Sequence, residues 1–308
     1  MSVPQFEKSG EGIEKIKLTA KVGSDEVPFT IERPDRRHFG GDVSDHIVLD
    51  LTGWTESEDS LKPLRTATAK LGMAAATLYH PRYVNPIKVF RSHHLRVENV
   101  AAVVRKLEGE YASVSLAGHS FGGIDGTRAT YEKELDIRVL ALLGSAGLIQ
   151  LDNLQHVAPR VLNEVVFEEG GALLQHPIHE GRFAVESVKV ILRNPILAGS
   201  EGLAAANQYV GRHIESLTER GVVVLNVMAD GDKIFPYKDV QLSTEDVPFD
   251  GEYIVRNANH NFTYNRADEV AGVITQTITD ADTIVARRVN PLTITNADVE
   301  QDLFGVVY

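Results

Sequence analysis

The sequence predicts an α/β fold, with a mostly parallel central sheet flanked by helices. Two observations predict it. Continuous apolar runs at 46–51, 73–79, 112–117, 139–143 and 222–228 have the length and composition of strands buried on both faces. Segments with apolar residues at helical spacing alternate with them, a rhythm that builds a parallel sheet covered on both sides.

The elements follow in chain order. Residues 13–22 and 27–31 alternate or are β-branched around the turn-prone Gly23-Ser24-Asp25, which predicts an antiparallel edge hairpin. Pro34, Asp35 and Gly40-Gly41-Asp42 predict a loop before the strand at 46–51, which ends at Thr52-Gly53-Trp54. A helix over 61–71 leads to a strand at 73–79 closed by Pro81, and a helix over 97–107 precedes the strand at 112–117. A helix over 126–135 and a strand over 139–143 end at Gly144-Ser145-Ala146-Gly147.

The strand rhythm then breaks. Residues 157–167 and 183–192 have helical pattern without an intervening strand. This predicts a helical cap inserted over the strand ends, where ligands of open α/β sheets bind. The expected division is a core of 1–147 and 203–308 around a cap of 148–202. Within the core, 203–219 reads as helix, 222–228 and 251–255 as strands and 267–288 as a long helix, while 289–308 has no period.

A chain of 308 residues, 43% hydrophobic, supports one large core, and no repeat or linker divides it. Net charge is −12 without a Lys/Arg block, so nucleic acid and anionic membrane are not expected partners; a small-molecule substrate is. Oligomeric state is not legible. Cysteine is absent, which excludes disulfides, thiolate nucleophiles and Cys-ligated metals. With no apolar stretch after a basic one at the N-terminus and no membrane-length apolar segment, a soluble cytoplasmic protein is expected.

Chemistry concentrates at Leu116-Ala117-Gly118-His119-Ser120-Phe121-Gly122-Gly123, where an apolar strand meets a small-residue stretch compatible with a helix. A serine on so tight a strand-to-helix turn is held in strained backbone geometry, and the residues two away on each side must lack bulk. Gly118 and Gly122 meet that requirement. The following helix turns its first N–H groups and positive end toward the hydroxyl, which suits an anionic intermediate of acyl transfer. A serine hydroxyl needs a base, commonly histidine oriented by a carboxylate. Asp232 follows the strand at 222–228 and His260 follows the one at 251–255, on the strand edge where Ser120 emerges.

With these residues in the order Ser120, Asp232, His260, the chain resembles the α/β-hydrolase superfamily over nearly its whole length. The resemblance implies Ser120 as nucleophile, His260 as general base and then general acid, and Asp232 as the residue that fixes the imidazole tautomer. Asp230 competes for the acid role, but Asp232 matches the family's Asp-x-x-x-Pro pattern through Pro236, leaving Asp230 as a turn-capping residue. An oxyanion hole is implied from the backbone N–H groups of Phe121 and Trp54, with Gly53 allowing the turn. Here Thr52-Gly53-Trp54 stands where the family frequently has His-Gly-x.

The implied activity is hydrolysis of a carboxylic ester of a small acyl substrate, with no cofactor and no metal. His80, His93, His94, His119, His176 and His179 read as surface or packing residues. No dinucleotide fingerprint or phosphate loop occurs. The same triad also serves thioesters, C–C cleavage, acyl transfer and cofactor-free perhydrolysis, and a slow ligand-binding protein on the same fold is the reading from another class. Phe121, Leu148, Phe167, Phe183, Phe235 and Phe262 are expected in the core rather than in the site.

Overall fold

Among the described residues, nine strands form one sheet that organises the fold. The computed structural model describes residues 5–8, 12–39, 43–54, 56, 59–81, 88, 91–150, 152, 154–163 and 207–289. Its strands are β1 (Gln5–Lys8), β2 (Ile13–Val22), β3 (Asp25–Pro34), β4 (His46–Leu51), β5 (Ala74–Leu78), β6 (Ser113–His119), β7 (Val139–Leu143), β8 (Val223–Ala229) and β9 (Gly251–Val255). The helices are α1 (Arg36–Phe39), α2 (Lys62–Lys70), α3 (Ser92–Leu107), α4 (Phe121–Glu132), α5 (Leu154–Asn163), α6 (Gly211–Glu219), α7 (Tyr237–Ser243), α8 (Phe262–Asn265) and α9 (Ala267–Val289).

The strand order is β1-β2-β3-β5-β4-β6-β7-β8-β9. Pairing is antiparallel from β1 to β5 and parallel from β5 to β9. Every residue of β4, β5, β7 and β8 is buried, which is why these strands read as predominantly apolar runs. Side chains still alternate between two cores. Ile47, Leu49 and Leu51 join Val97, Val100 and Val104 of α3, Ile124 of α4 and Ile214 of α6 on one face. Val48 joins Leu64 and Ala67 of α2 with Val270, Ala271 and Ile274 of α9 on the other.

This topology decides where a site can form. The chain leaves β4 toward β5 on one side, whereas it leaves β6 toward β7 on the other. Loops that part in opposite directions open a crevice at the carboxyl ends of those two strands. Gly53 follows β4 there, and Ser120 follows β6.

Several sequence expectations shift. The β2–β3 hairpin is not the edge of the sheet: β1 pairs outside it, with Phe6 opposite Ile16. α4 begins at Phe121 and not at 126, because the tight turn brings Gly122 and Gly123 directly into helix. α3 starts at Ser92, five residues before 97, and α6 starts at Gly211, with Asn207 to Val210 outside any helix. α1, α7 and α8 were not anticipated. Of the expected cap, α5 covers the start of 157–167; residues 164–202, with the helix at 183–192, lie outside the described residues, as does 290–308. Among the described residues no helix is long and apolar enough to cross a membrane.

Candidate active site

Ser120 has φ 52° and ψ −119°, a conformation that costs a non-glycine residue of order 1–3 kcal/mol and persists only where its surroundings impose it. They do so through close backbone packing. A Cβ on Gly118 would lie 2.5 Å from the Gly122 carbonyl oxygen, and one on Gly122 would lie 2.2 Å from the Leu51 carbonyl oxygen. Only hydrogen fits at either position, so the spacing of the two glycines is a steric necessity. Ser120 donates its N–H to the Leu143 carbonyl at 3.0 Å, while its own carbonyl accepts from Gly123 at 3.1 Å and Ala146 at 3.0 Å. Its hydroxyl makes no helix cap, although Ser120 is the N-cap residue of α4.

β8 and β9 deliver the other two residues. His260 Nδ1 lies 2.7 Å from Asp232 Oδ2, with both side chains nearly inaccessible to solvent. The second oxygen, Asp232 Oδ1, accepts the N–H groups of Ile234 and Phe235, each at 2.8 Å. Three donors thus hold the carboxylate in one orientation, and the oxygen facing the imidazole accepts from Nδ1–H. That tautomer leaves Nε2 as the basic nitrogen. The Phe235 ring packs on the imidazole at 5.5 Å between centroids. Gly144, which follows the acceptor of the Ser120 N–H, lies beneath the pair: a Cβ there would meet Asp232 Oδ2 at 3.3 Å and His260 Nδ1 at 3.4 Å.

Asp230 is engaged elsewhere. Its Oδ1 accepts the Ala258 N–H at 3.4 Å and so ties the β8 loop to the β9 loop, instead of capping its own turn as expected. The turn-capping belongs to Asp232, which orients the histidine with its other oxygen.

The β4 exit is built by residues that the sequence reading passed over. Arg96 of α3 is buried, donates Nη2–H to the Thr52 carbonyl at 3.0 Å and stacks its guanidinium over the Phe121 ring at 4.6 Å. Its Nε–H is bound by Asp125 at 2.6 Å. Burial holds the Asp125 carboxyl above the ordinary carboxylate range, although Arg96 pulls it down. On the other side of the same peptide, the Gly53 N–H donates to Glu56 Oε2 at 2.5 Å. A Cβ on Gly53 would lie 3.0 Å from both the Ser120 Cβ and the Glu56 carboxyl carbon, so this loop presses against the serine. Among the described residues no acceptor engages the N–H of Phe121 or of Trp54. Trp54 is half-buried against the core, and its buried indole N–H has no partner among the described residues.

His119 is neither a surface residue nor simple packing. It is 1% exposed, with Nδ1 2.5 Å from Glu56 Oε1 and Nε2 2.9 Å from the His260 carbonyl. Burial alone would raise the Glu56 carboxyl; the His119 ring, the Gly53 N–H and His260 outweigh it and hold the group below the ordinary glutamate value. A buried carboxylate three residues beyond Gly53 was the available signal, but only the fold brings His119 to it. Phe121, Leu148, Phe235 and Phe262 are buried in the core clusters, Phe235 at the same time against the His260 ring, and Phe167 and Phe183 lie outside the described residues.

No family model and no curated protein matches the sequence. Solved structures do match in shape. A bromoperoxidase from Bacillus anthracis superposes with TM-score 0.63 at 14% identity, over 86% of this chain and 100% of that one. A proline iminopeptidase from Mycobacterium smegmatis gives 0.65 at 14%, over 87% and 99%. An esterase from Exiguobacterium antarcticum gives 0.62 at 13%, over 85% and 98%. At such identities the likeness is one of fold.

Proposed function

The chain has the α/β-hydrolase fold, and from that premise we propose that it is a serine hydrolase cleaving carboxylic esters of a small acyl substrate without a cofactor. The observation that carries this reading is the buried 2.7 Å contact between His260 Nδ1 and Asp232 Oδ2, at strand ends beside a serine held in strained geometry. Such a pair leaves imidazole Nε2 basic and ready to accept the Ser120 proton. As Ser120 Oγ attacks the ester carbonyl, the proton moves to His260 and the carbonyl oxygen becomes an oxyanion stabilised by the N–H groups of Phe121 and Trp54. Collapse of the intermediate breaks the C–O bond, and His260 returns the proton to the departing alcohol. Water, deprotonated by His260, then attacks the acyl-enzyme and releases the acid, restoring Ser120.

Strand-end placement of a tautomer-fixing carboxylate supports hydrolysis over slow ligand binding, since binding alone makes no use of a basic Nε2. The experiment is intact-mass analysis after treatment with a fluorophosphonate. A single adduct on wild type is expected, absent from Ser120→Ala. Asp232→Asn should slow its formation by about 10⁴-fold, and Asp230→Asn by less than about threefold. Absence of an adduct on wild type overturns the reading, and equal slowing by the two Asp changes overturns the choice of acid.

A further inference from the structure

Glu56 and His119 form a buried pair that joins three segments of the site. Glu56 Oε2 takes the Gly53 N–H at 2.5 Å, Glu56 Oε1 meets His119 Nδ1 at 2.5 Å, and His119 Nε2 meets the His260 carbonyl at 2.9 Å. The His119 ring also lies against the His260 ring, 4.8 Å between centroids. Both ring nitrogens of His119 therefore face oxygen acceptors. With Glu56 ionised, the imidazolium is the form that donates to both; a neutral ring leaves one nitrogen lone pair against an oxygen.

Such a pair contributes little net stability. Two groups with side chains 3% and 1% exposed give up their hydration, and the attraction between them returns roughly that cost. Orientation is what the contacts do supply. The peptide between Thr52 and Gly53 is gripped at its carbonyl by Arg96 and at its N–H by Glu56. With the Gly53 N–H consumed, the Trp54 N–H is the next amide past β4 and is unengaged among the described residues. We propose that Glu56 and His119 act together as positioning residues, locking the loop after β4 against the loop that carries His260, so that Trp54 and not Gly53 supplies the second oxyanion donor. This rests on the serine-hydrolase reading and deepens it.

The expected signature is a loss confined to the chemical step. Misplacing a reacting group by about 1 Å costs on the order of 100-fold. With p-nitrophenyl acetate as probe, Glu56→Gln and His119→Gln should each lower kcat by about 10- to 100-fold while KM stays within about threefold, with phosphonylation of Ser120 slowed in parallel. Either single change unpairs a buried group, so the double variant Glu56→Gln/His119→Gln, without a buried charge, serves as the folding control. It should melt close to wild type and retain the loss of kcat, with the two effects far from additive. A double variant that folds and turns over as wild type, or one whose loss falls in KM alone, overturns the positioning role. If wild type itself forms no adduct, the hydrolase reading fails and the positioning role falls with it. If wild type reacts and the double variant reacts as fast, the positioning role alone fails.

Discussion

Two adjacent strand ends, Leu51 of β4 and Gly118 of β6, lie side by side in register yet shape the site by different means. At β6 the turn is dictated by backbone packing: glycines two residues either side of Ser120 admit it, and the atoms that crowd them, in Gly122 and Gly123 and in Leu51 of β4, are all backbone. At β4 the loop is held by side chains from afar, Arg96 at a separation of 44 residues, and Glu56 bound by His119 at 63. The contrast teaches that one wall of the site is steric and the other electrostatic. Each should fail in its own way.

The steric wall should fail most severely. Gly122→Ala places a methyl 2.2 Å from the Leu51 carbonyl oxygen, backbone against backbone, where neither side can rotate away. A loss of about 4 kcal/mol or more in urea denaturation is expected, enough to leave little folded protein. A variant within about 1 kcal/mol of wild type would break the contrast.

The electrostatic wall should fail by unpairing. Arg96→Met strands Asp125, whose side chain is 1% exposed, and should cost about 3–5 kcal/mol. Adding Asp125→Asn removes the stranded charge and should restore much of that stability. It should not restore kcat, because the Thr52 carbonyl still lacks its donor. Recovery of both together would mean that Arg96 serves stability alone.

A smaller effect comes from the opposite face of β4. Asp50 is fully buried, and among the described residues neither carboxylate oxygen has a hydrogen-bond partner. Burial pushes its carboxyl well above the usual range, Arg65 opposes this in part and Glu32 adds to it. The folded state therefore keeps this proton to higher pH than the unfolded chain does. Its contribution to stability is complete below the unfolded value and declines as pH rises toward the folded one. Asp50→Asn removes that decline, so its melting temperature should gain steadily on wild type as pH rises above the ordinary carboxylate value of 3.8. A difference independent of pH would contradict it.

At the other end of the strand, His46 is lowered to about 4 by burial and then by Arg138. Here the unfolded chain takes up the proton first. Stability is complete above about pH 6.5 and falls as pH drops toward about 4, which His46→Gln should flatten in acid melts.

The same contrast explains what the sequence made legible. The parallel strands stood out because burial on both faces leaves mostly apolar residues, as in Ile47–Leu49 and Val139–Leu143. Ser120 stood out because the glycine spacing that marks its turn lies within five residues, and Asp232 and His260 because each follows a strand. β1 did not, since Gln5–Lys8 holds four residues, three of them polar. Glu56, His119 and Arg96 carry no local pattern: each acquires its partner only when β4, β6 and α3 pack together. His119 sat inside the motif itself, and its role depends on a glutamate 63 residues away.

The most direct test is a crystal structure of the protein phosphonylated by a fluorophosphonate. The predicted result is phosphorus bonded to Ser120 Oγ, with its phosphoryl oxygen about 2.7–3.1 Å from the N–H groups of Phe121 and Trp54. Glu56 should still hold the Gly53 N–H, and His260 should still hold Asp232. A phosphoryl oxygen bound by the Gly53 N–H, with Glu56 swung away from it, would contradict the account.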